Sequence, residues 1–322
     1  MSATREKLVI IIVNWNTASI TLECLRSLSR AGVLDSHQVS VVDNASTDDS
    51  CDLIAAEFGE GLLTRNTLNV GFAAANNQVL ANRLDDADFF LLLNSDTVVL
   101  GDVIDRSLGY MDDHPDVGAM GCRVLNTDRT VQLTCSGFPT VSRAALQLTG
   151  LDRLPMFPSL RQYRMEGWDR SDERDVDVIS GCYLLVRSSV VRQVGLLDED
   201  FFFFGEETDW CCRMKRAGWK LRFAPVGEII HHGSVSARKL SYRRDLLLSN
   251  AIVRFTLKNY GSAACAAMFT ILFMFNVSRC LVHGIAGLFA EGSLKRSKHF
   301  LAVSVRFRYA WPSFRSRDLM SL

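Results

Sequence analysis

Carboxylates stand beside strongly apolar segments at three places in this chain. Asp43 ends the apolar run Val39–Val42, and Asp96 follows Leu91–Leu93 after two polar residues. Glu207 belongs to an acidic group that follows four phenylalanines. In sheets of parallel strands, ligands bind beyond the carboxyl ends of the strands. These three positions are therefore the first candidates for catalytic or ligand-binding residues.

Asp43 and Asp96 each have a chemical and an ordinary interpretation. Asp43 can accept a hydrogen bond from a ring N–H of a nucleobase, or it can form an Asx-turn or a helix cap. Asp96 offers the hard oxygen that Mg²⁺ or Mn²⁺ prefers, and one such acid is enough when substrate phosphates complete the shell. Asn94-Ser95-Asp96 is also a common turn sequence, so both interpretations stay open.

The acidic group near residue 207 predicts a general base. A carboxylate beside aromatic walls can have a raised pKa, which suits proton abstraction. The alternative is a helix N-terminus, where acids are favoured by the helix dipole. His231, with His232 beside it, follows the apolar pair Ile229-Ile230 and can complete a metal shell, although a loop histidine without a ligand is the more common outcome. The members of the acidic group are Glu206, Glu207 and Asp209.

Alternating strands and helices must position these groups. The apolar runs predict strands at Leu8–Val13, Val39–Val42, Leu62–Thr64 and Phe89–Leu93, with helices between them. This order predicts an α/β fold with a doubly wound, mostly parallel sheet. Polar segments follow three of these strands, so they should meet in one crevice. They are Asn14–Asn16, Asp43–Asp48 and Asn94–Thr97.

The pattern of predicted strands and helices is less regular in the second half of the chain. Residues 126–175 contain Pro139, Pro155 and Pro158 and predict a long irregular insertion. Regular structure resumes with a strand at Gly181–Arg187. The elements predicted after it are a helix at Ser189–Val194, a helix at Glu206–Ala217 that ends at Gly218, and a strand at Leu221–Phe223.

The C-terminal region differs in character from the rest. Ala263–Phe275 carries no charge, but Asn276, Arg279 and His283 interrupt the apolar pattern before it reaches the length of a full membrane span. With its basic tail, this region predicts a helix or helical hairpin lying at a membrane interface. A buried packing helix and a single span are the alternatives. We therefore expect a catalytic domain over residues 1–250 and a helical, membrane-interfacial region over residues 251–322.

The net charge and the cysteine content limit the partners and the compartment that the protein can have. Lys+Arg and Asp+Glu both number 36, so a formal net charge of zero argues against a nucleic-acid partner. The nine cysteines form an odd set without disulfide spacing, which favours a reducing compartment. Together with the C-terminal region, this predicts a protein at the cytoplasmic face of the cell membrane.

Taken together, these motifs resemble the inverting family 2 glycosyltransferases with a GT-A fold, in particular their rhamnosyltransferase-like branch, over about residues 7–260. The fold implied is a GT-A mixed, mostly parallel sheet flanked by helices. The segments that carry the resemblance are Ile11–Asn16, Val42–Asp48, Asn66–Asn77, Leu93–Thr97, Ser180–Cys182, Leu197–Phe202 and Gly205–Trp219.

The resemblance implies roles for particular residues. Asp43 matches the acid that contacts the nucleobase, and Asp96 matches the last acid of the DXD metal motif, whose first acid is Asn94 here. Glu207 matches the general base, and His231 matches a histidine that completes the metal shell in some relatives. The implied nucleotide pocket is lined by Asn14, Asn16, Asp43, Asn76, Asn77 and Asn94, and the implied acceptor side by Glu206, Asp209 and Trp210.

The predicted function is sugar transfer with inversion, from a nucleoside-diphosphate sugar to a lipid-linked or cell-surface glycan acceptor, with Mg²⁺ or Mn²⁺. The rhamnosyltransferase-like branch favours dTDP-rhamnose as the donor. A nucleotidyltransferase is a weaker alternative, because Asn14-Trp15-Asn16-Thr17 follows the first strand where a glycine-rich phosphate loop would be needed. A non-catalytic membrane scaffold is a further alternative, although it would not require carboxylates at residues 96 and 207.

Overall fold

The computed structural model of the chain describes residues 6–149, 165–233, 240–289, 291–314 and 316–321. It forms two compact units. The first comprises Met1–Gly137, Arg164–Glu199 and Glu207–Ser236, and the second comprises Phe138–Tyr163, Asp200–Glu206 and Ala237–Leu322. The predicted domain boundary at residue 250 stays a prediction.

Eleven strands and ten α-helices are formed by the described residues. The strands are β1 (Glu6–Asn14), β2 (Gln38–Asp43), β3 (Leu63–Arg65), β4 (Ala87–Asn94), β5 (Thr97–Val99), β6 (Val117–Leu125), β7 (Cys135–Ser136), β8 (Arg174–Asp175), β9 (Val178–Ile179), β10 (Tyr183–Arg187) and β11 (Lys220–His231). The helices are α1 (Ala18–Arg30), α2 (Val33–Ser36), α3 (Ser50–Phe58), α4 (Phe72–Arg83), α5 (Val103–Asp113), α6 (Val141–Thr149), α7 (Ser188–Val194), α8 (Glu206–Arg216), α9 (Tyr242–Ala286) and α10 (Glu291–Arg306).

A mixed sheet forms the first unit. Its strand order is β3-β2-β1-β4-β10-β6-β11-β5, with β8 paired to β11. Strands β3, β2, β1 and β4 run parallel, β10 is antiparallel to both β4 and β6, and β6 is parallel to β11. The α/β fold is confirmed, with the parallel strands predicted from the N-terminal apolar runs lying side by side.

The N-terminal strands are held by burial on both faces. Leu8 through Ile12 are at most 1 % exposed, and alternate members pack with Leu25 and Leu28 of α1 in the main core. Burying each such side chain contributes about 1.5–3 kcal/mol. The apolar run of β1 stops at Asn14, so the change from apolar to polar residues marks the end of the strand.

Two predictions for the second half of the chain were wrong in part. The strand predicted at Leu221–Phe223 runs on to His231, because a register shift between Phe223 and Glu228 absorbs Pro225 and Gly227, which read as strand breakers in the sequence. The insertion predicted as irregular contains α6, β7 and β8. Its Pro155 and Pro158 lie outside the described residues.

The second unit is helical over the residues described. Gly261, with φ of 85°, divides α9, and the later part of α9 and α10 form a hairpin. The Ser297 hydroxyl donates to the Cys280 carbonyl, and His299 Nε2 lies 2.9 Å from Asp245 Oδ2. A small core around Leu246, Val303 and Phe307 closes this unit. The predicted helical hairpin is present.

Candidate functional site

Three neighbouring parallel strands end at nearly the same level, at one edge of the sheet. Asn14 of β1 pairs with Asp43 of β2, and Val13 pairs with Asn94 of β4. Because the strands are parallel, the polar residues after each one emerge on the same side. The structure therefore brings the strand ends that carry Asn14, Asp43 and Asn94 to one edge of the sheet, and the binding role predicted for these residues stays a prediction.

The first group of polar side chains at this edge is the Asp43 cluster: Asn14, Thr17, Thr21, Asp43 and Ser46. Asn14 Nδ2 donates to Asp43 Oδ1 (2.7 Å) and to Ser46 Oγ (3.1 Å). Asn14 Oδ1 accepts from the hydroxyls of Thr17 (2.9 Å) and Thr21 (2.7 Å). The Ser46 amide donates to Asp43 Oδ2 at 2.9 Å. Asn14 therefore uses its full hydrogen-bonding capacity to hold Asp43 and α1.

Asn16 shapes the loop that follows β2. Its Oδ1 accepts from the amides of Thr47 (2.7 Å) and Asp48 (3.3 Å), and its own amide donates to Ser46 Oγ. Asn16 and Ala45 have φ of 54° and 61°, in the left-handed region. For alanine this conformation costs of the order of 1 kcal/mol, so the surrounding contacts must hold the loop in place.

The asparagines of α4 contact protein. Asn77 Nδ2 donates to Leu197 O and to Glu199 Oε1, both at 2.9 Å, and Asn77 Oδ1 accepts from the Leu197 amide. Asn76 Nδ2 donates back to Phe72 O. Asn77 thus fastens the segment 197–199 to α4. These contacts are invisible in the sequence, because they join residues 120 positions apart.

Sequence reasoning missed Asn44 as an organising residue. Its Nδ2 donates to Asn69 Oδ1 and to Gly71 O, and its Oδ1 accepts from the Val70 amide. Asn44 therefore holds the segment 69–71 against the end of β2. Its position directly after Asp43 was the available signal.

The second group is the Asp96 cluster: Asn94, Asp96 and His231. Antiparallel pairing places His231 of β11 opposite Thr97 of β5. His231 Nε2 lies 3.1 Å from Asp96 Oδ1 and 3.3 Å from Asn94 Nδ2. Asp96 and His231 are both buried, at 6 % and 7 % exposure. His232 points elsewhere, with Nε2 3.5 Å from Glu23 Oε2.

The chemistry of the Asp96 cluster fits a divalent cation. An imidazole nitrogen that carries a lone pair would repel a carboxylate oxygen 3.1 Å away, unless a proton or a cation lies between them. Carboxylate oxygen and imidazole nitrogen are both ligands that Mn²⁺ accepts. In the described part of the chain, no three His, Cys, Asp or Glu side chains are grouped to hold a metal. Substrate oxygens would therefore have to complete the shell, as they often do for Mg²⁺.

The acidic residues of α8 occupy different environments. Asp209 is buried, and its Oδ2 accepts from Arg213 Nε at 2.8 Å. Trp210 is also buried, with Nε1 donating to Gly195 O. Glu206 is 5 % exposed, whereas Glu207 is half-buried. Glu207 is therefore the most accessible of the three acids at the start of this helix.

The charges of Asp96 and Glu207 each help to raise the pKa of a buried cysteine. Burial, and then the charge of Asp96, raises the pKa of Cys182 to about 12. Burial, and then the charge of Glu207, raises the pKa of Cys211 to about 12. Burial is the main cause of both shifts, so the Cys182 and Cys211 thiols stay protonated near neutral pH.

Comparison with known proteins gives a consistent picture. Residues 5–246 match the profile of "Glycosyltransferase like family 2". The chain is 29% identical over 218 residues to an N-acetylglucosaminyl-diphospho-decaprenol L-rhamnosyltransferase of Mycobacterium tuberculosis strain H37Rv, covering 64% of this chain and 71% of that protein. It is 24% identical over 169 residues to the rhamnosyltransferase WbbL of Escherichia coli K12, covering 50% and 61%.

Solved structures show the same fold. The mannosyltransferase PcManGT of Pyrobaculum calidifontis, solved with GDP-Man and Mn²⁺, superposes with a TM-score of 0.52 at 15% identity, over 96% of this chain and 86% of that one. Staphylococcus aureus TarS residues 1–349 superpose with a TM-score of 0.50 at 14% identity, over 97% and 83%. At this identity the likeness shows the fold alone, which confirms the GT-A prediction.

Proposed function

The chain belongs to glycosyltransferase family 2, and from this premise we propose that it transfers rhamnose, with inversion, from dTDP-rhamnose to a lipid-linked glycan acceptor. The observation that carries the proposal is the position of Asp43, Asn94 and Asp96 at the ends of β2 and β4, the two strands that flank β1, with His231 against Asp96. The choice of sugar and acceptor draws on the rhamnosyltransferase relatives, one of which is named for a decaprenol-linked substrate. Neither a nucleotidyltransferase nor a scaffold is among the relatives described above.

Asp43 binds the base of the nucleotide in this proposal. Its two oxygens accept from Asn14 Nδ2 and the Ser46 amide, which fixes the plane of the carboxylate. A carboxylate has about four acceptor positions, so one can still receive a ring N–H. The role of Asn14 is then to position Asp43.

Asp96 and His231 hold the divalent cation, with Asn94 beside them. When bound, the cation supplies neutralisation of the negative charge that develops on the leaving nucleoside diphosphate. The near-complete burial of both side chains excludes water and strengthens their electrostatic interactions.

Glu207 is the general base. Its carboxylate removes the proton of an acceptor hydroxyl, and that oxygen forms a bond to the anomeric carbon. The bond from that carbon to the diphosphate oxygen breaks on the opposite face, and the diphosphate leaves with the electron pair. Half-burial at the first turn of α8 supports this role, because the other acids of the turn are enclosed.

The hairpin of the second unit attaches to the cytoplasmic face of the membrane. By length and composition, α9 is the one helix among the residues described that could cross a bilayer. Large apolar side chains at the hairpin tip are exposed, up to 87 % for Phe289, and exposed Lys295, Arg296 and Lys298 follow on α10. A tip in the acyl region with bases at the phosphates fits this pattern. The exposed tip residues are Leu281, Val282, Ile285, Leu288 and Phe289.

The catalytic proposal is tested with the Glu207→Gln variant. We expect kcat to fall about 10²–10⁴-fold, because the amide cannot accept the proton, while the donor dissociation constant stays unchanged. Glu206→Gln is the comparison variant: as a residue of the implied acceptor side, it should raise the acceptor KM while kcat falls far less than in Glu207→Gln. A Glu207→Gln enzyme as active as the wild type removes Glu207 as the base. Assays with dTDP-rhamnose, a UDP-sugar and GDP-mannose on a polyprenyl-diphosphate-linked acceptor, followed by NMR of the new linkage, test donor and stereochemistry.

Membrane attachment is tested by co-sedimentation with vesicles. We expect binding to vesicles containing anionic lipid, weaker binding to neutral ones, and loss of both when Leu288 and Phe289 are replaced by Ser. Leu133→Ser, at an exposed leucine of the first unit, is the matched control. Unchanged binding by the double variant, or a hairpin-dependent dimer that does not bind vesicles, would contradict the proposal.

A further inference from the structure

Gln132 contacts the ring nitrogen of His231 that faces away from Asp96. His231 Nδ1 lies 2.6 Å from Gln132 Oε1. The Gln132 backbone is fixed, because its amide donates to Val124 O at 2.8 Å and the preceding residue forms a β-bridge with Leu125. Gln132 thus reaches His231 from a turn anchored on β6.

A series of hydrogen bonds links Gln132 to the protein surface, and the exposed carboxylate at the surface end sets which group donates in each of them. Asp128 is fully exposed, and hydrogen bonds from the side chain and then the amide of Thr130 lower its pKa. An ionised carboxylate only accepts, so the Thr130 hydroxyl donates to Asp128 Oδ1 at 2.6 Å. Thr130 Oγ1 must then accept from Asn126 Nδ2, which lies 2.9 Å away.

The same direction continues inward. Because Asn126 turns its nitrogen toward Thr130, its Oδ1 faces Gln132 and accepts from Gln132 Nε2 at 2.8 Å. Gln132 Nε2 also lies 3.4 Å from the His231 carbonyl, so both of its contacts are acceptors. Gln132 Oε1 is left to face His231 Nδ1, and it can only accept. Nδ1 of His231 therefore carries a proton, and Nε2 is the ring nitrogen that can offer a lone pair to a cation beside Asp96.

We propose that Gln132 is a positioning residue, which holds His231 in the orientation and tautomer that offer Nε2 to a divalent cation. This inference rests on the proposed cation role of Asp96 and His231. Ligating histidines commonly donate their second ring N–H to an oxygen, which fixes the tautomer and orients the ring. Neutral histidine in water favours the opposite tautomer, so the cation site needs such a partner.

The first measurement needs no metal. Long-range ¹H–¹⁵N spectra of the metal-free protein report whether Nδ1 of His231 carries a proton. We expect a protonated Nδ1 in the wild type and the Nε2–H form, with an unprotonated Nδ1, in Gln132→Met, which keeps the side-chain length but lacks the amide oxygen. Thr130→Val, which removes only the hydroxyl at the surface end of these hydrogen bonds, should change the protonation of Nδ1 less. A wild-type His231 whose Nδ1 carries no proton overturns the inference.

The second measurement is Mn²⁺ affinity without donor, followed by electron paramagnetic resonance of free Mn²⁺. We expect Gln132→Met to weaken binding about 10–100-fold, and Gln132→Glu, which keeps an acceptor at the same place, to bind at least as tightly as the wild type. Wild-type affinity in Gln132→Met, together with loss in His231→Ala, overturns the role of Gln132 alone. Wild-type affinity in His231→Ala overturns the proposed cation role instead, and the tautomer measurement still decides the orienting role.

Discussion

The Asp43 cluster and the Asp96 cluster lie at the same edge of one sheet, but they are built on opposite principles. In the Asp43 cluster, each donor faces an acceptor: Asn14 makes four side-chain hydrogen bonds, and Asp43 accepts from Asn14, from the Ser46 amide and from the Cys51 thiol. In the Asp96 cluster, the carboxylate faces the ring nitrogen of His231, which Gln132 orients from behind. The first cluster is complete within the protein, whereas the second gains from a cation. Stability and reactivity should therefore respond differently to matched substitutions.

The largest effect is expected from the same change, Asp→Asn, made in each cluster. Asp96→Asn should lower kcat by about a thousand-fold, because charge stabilisation of the leaving diphosphate is lost. Its free energy of unfolding should change by less than about 1 kcal/mol, because the Asn amide can face His231 Nε2 with either its oxygen or its nitrogen. Asp43→Asn should lower the free energy of unfolding by about 1–3 kcal/mol, because an amide N–H replaces an acceptor. Initial rates and urea unfolding test both, and an equal loss of stability in the two variants would contradict the comparison.

Two asparagines on adjacent strands give a second matched pair. Asn14→Ala should lower the free energy of unfolding by about 3 kcal/mol, because the buried polar atoms of Asp43, Thr17 and Thr21 lose the hydrogen bonds that they make with Asn14. Asn94→Ala, whose side chain makes one contact with His231, should cost about 1 kcal/mol or less. Urea denaturation measures both. The contrast fails if Asn94→Ala proves as destabilising as Asn14→Ala.

Divalent cations should stabilise the protein through the second cluster alone. Mn²⁺ at a free concentration about one hundred times its dissociation constant should add about 2.7 kcal/mol and raise Tm by several degrees. The shift should vanish in Asp96→Asn and persist in Asn14→Ala. Differential scanning calorimetry with Mn²⁺ or EDTA measures it. A shift that survives Asp96→Asn would place the cation elsewhere.

The smallest effect concerns Cys51, beside the Asp43 cluster. Burial, and then a hydrogen bond to the Asp43 carboxylate, raise the pKa of Cys51 to about 11. Because the thiolate is the reactive form, alkylation by iodoacetamide should be slow near neutral pH and rise about tenfold per unit toward that pKa. Removing the negative charge in Asp43→Asn lowers the pKa and should speed alkylation at fixed pH. Peptide mass spectrometry follows the reaction, with Cys51→Ser to identify the peptide. A rate that is flat with pH would refute the assignment.

Local pattern was sufficient to predict the parallel half of the sheet. Runs such as Leu8–Val13 and Phe89–Leu93 are apolar enough to need cover on both faces, so they predict buried strands wherever they occur. The same reasoning predicted a strand at Gly181–Arg187, where β10 lies, but not that it is antiparallel to its neighbours. The length of β11 was not predicted, because Pro225 and Gly227 imitate a strand end. The pairing partner that keeps β11 extended is β6, far away in sequence.

By itself, the sequence determined the kinds of groups at the strand ends, an acid after β2, an acid after β4 and an acidic helix start, because each follows a local apolar run. Tertiary structure decided what each group meets. Asn14 and Asn77 form hydrogen bonds with other groups of the protein. His231 is brought to Asp96 by the pairing of β11 with β5. Hydrogen-bond saturation and the 3.1 Å approach of His231 Nε2 to Asp96 Oδ1 depend on distances between remote segments, and only the folded sheet fixes those distances.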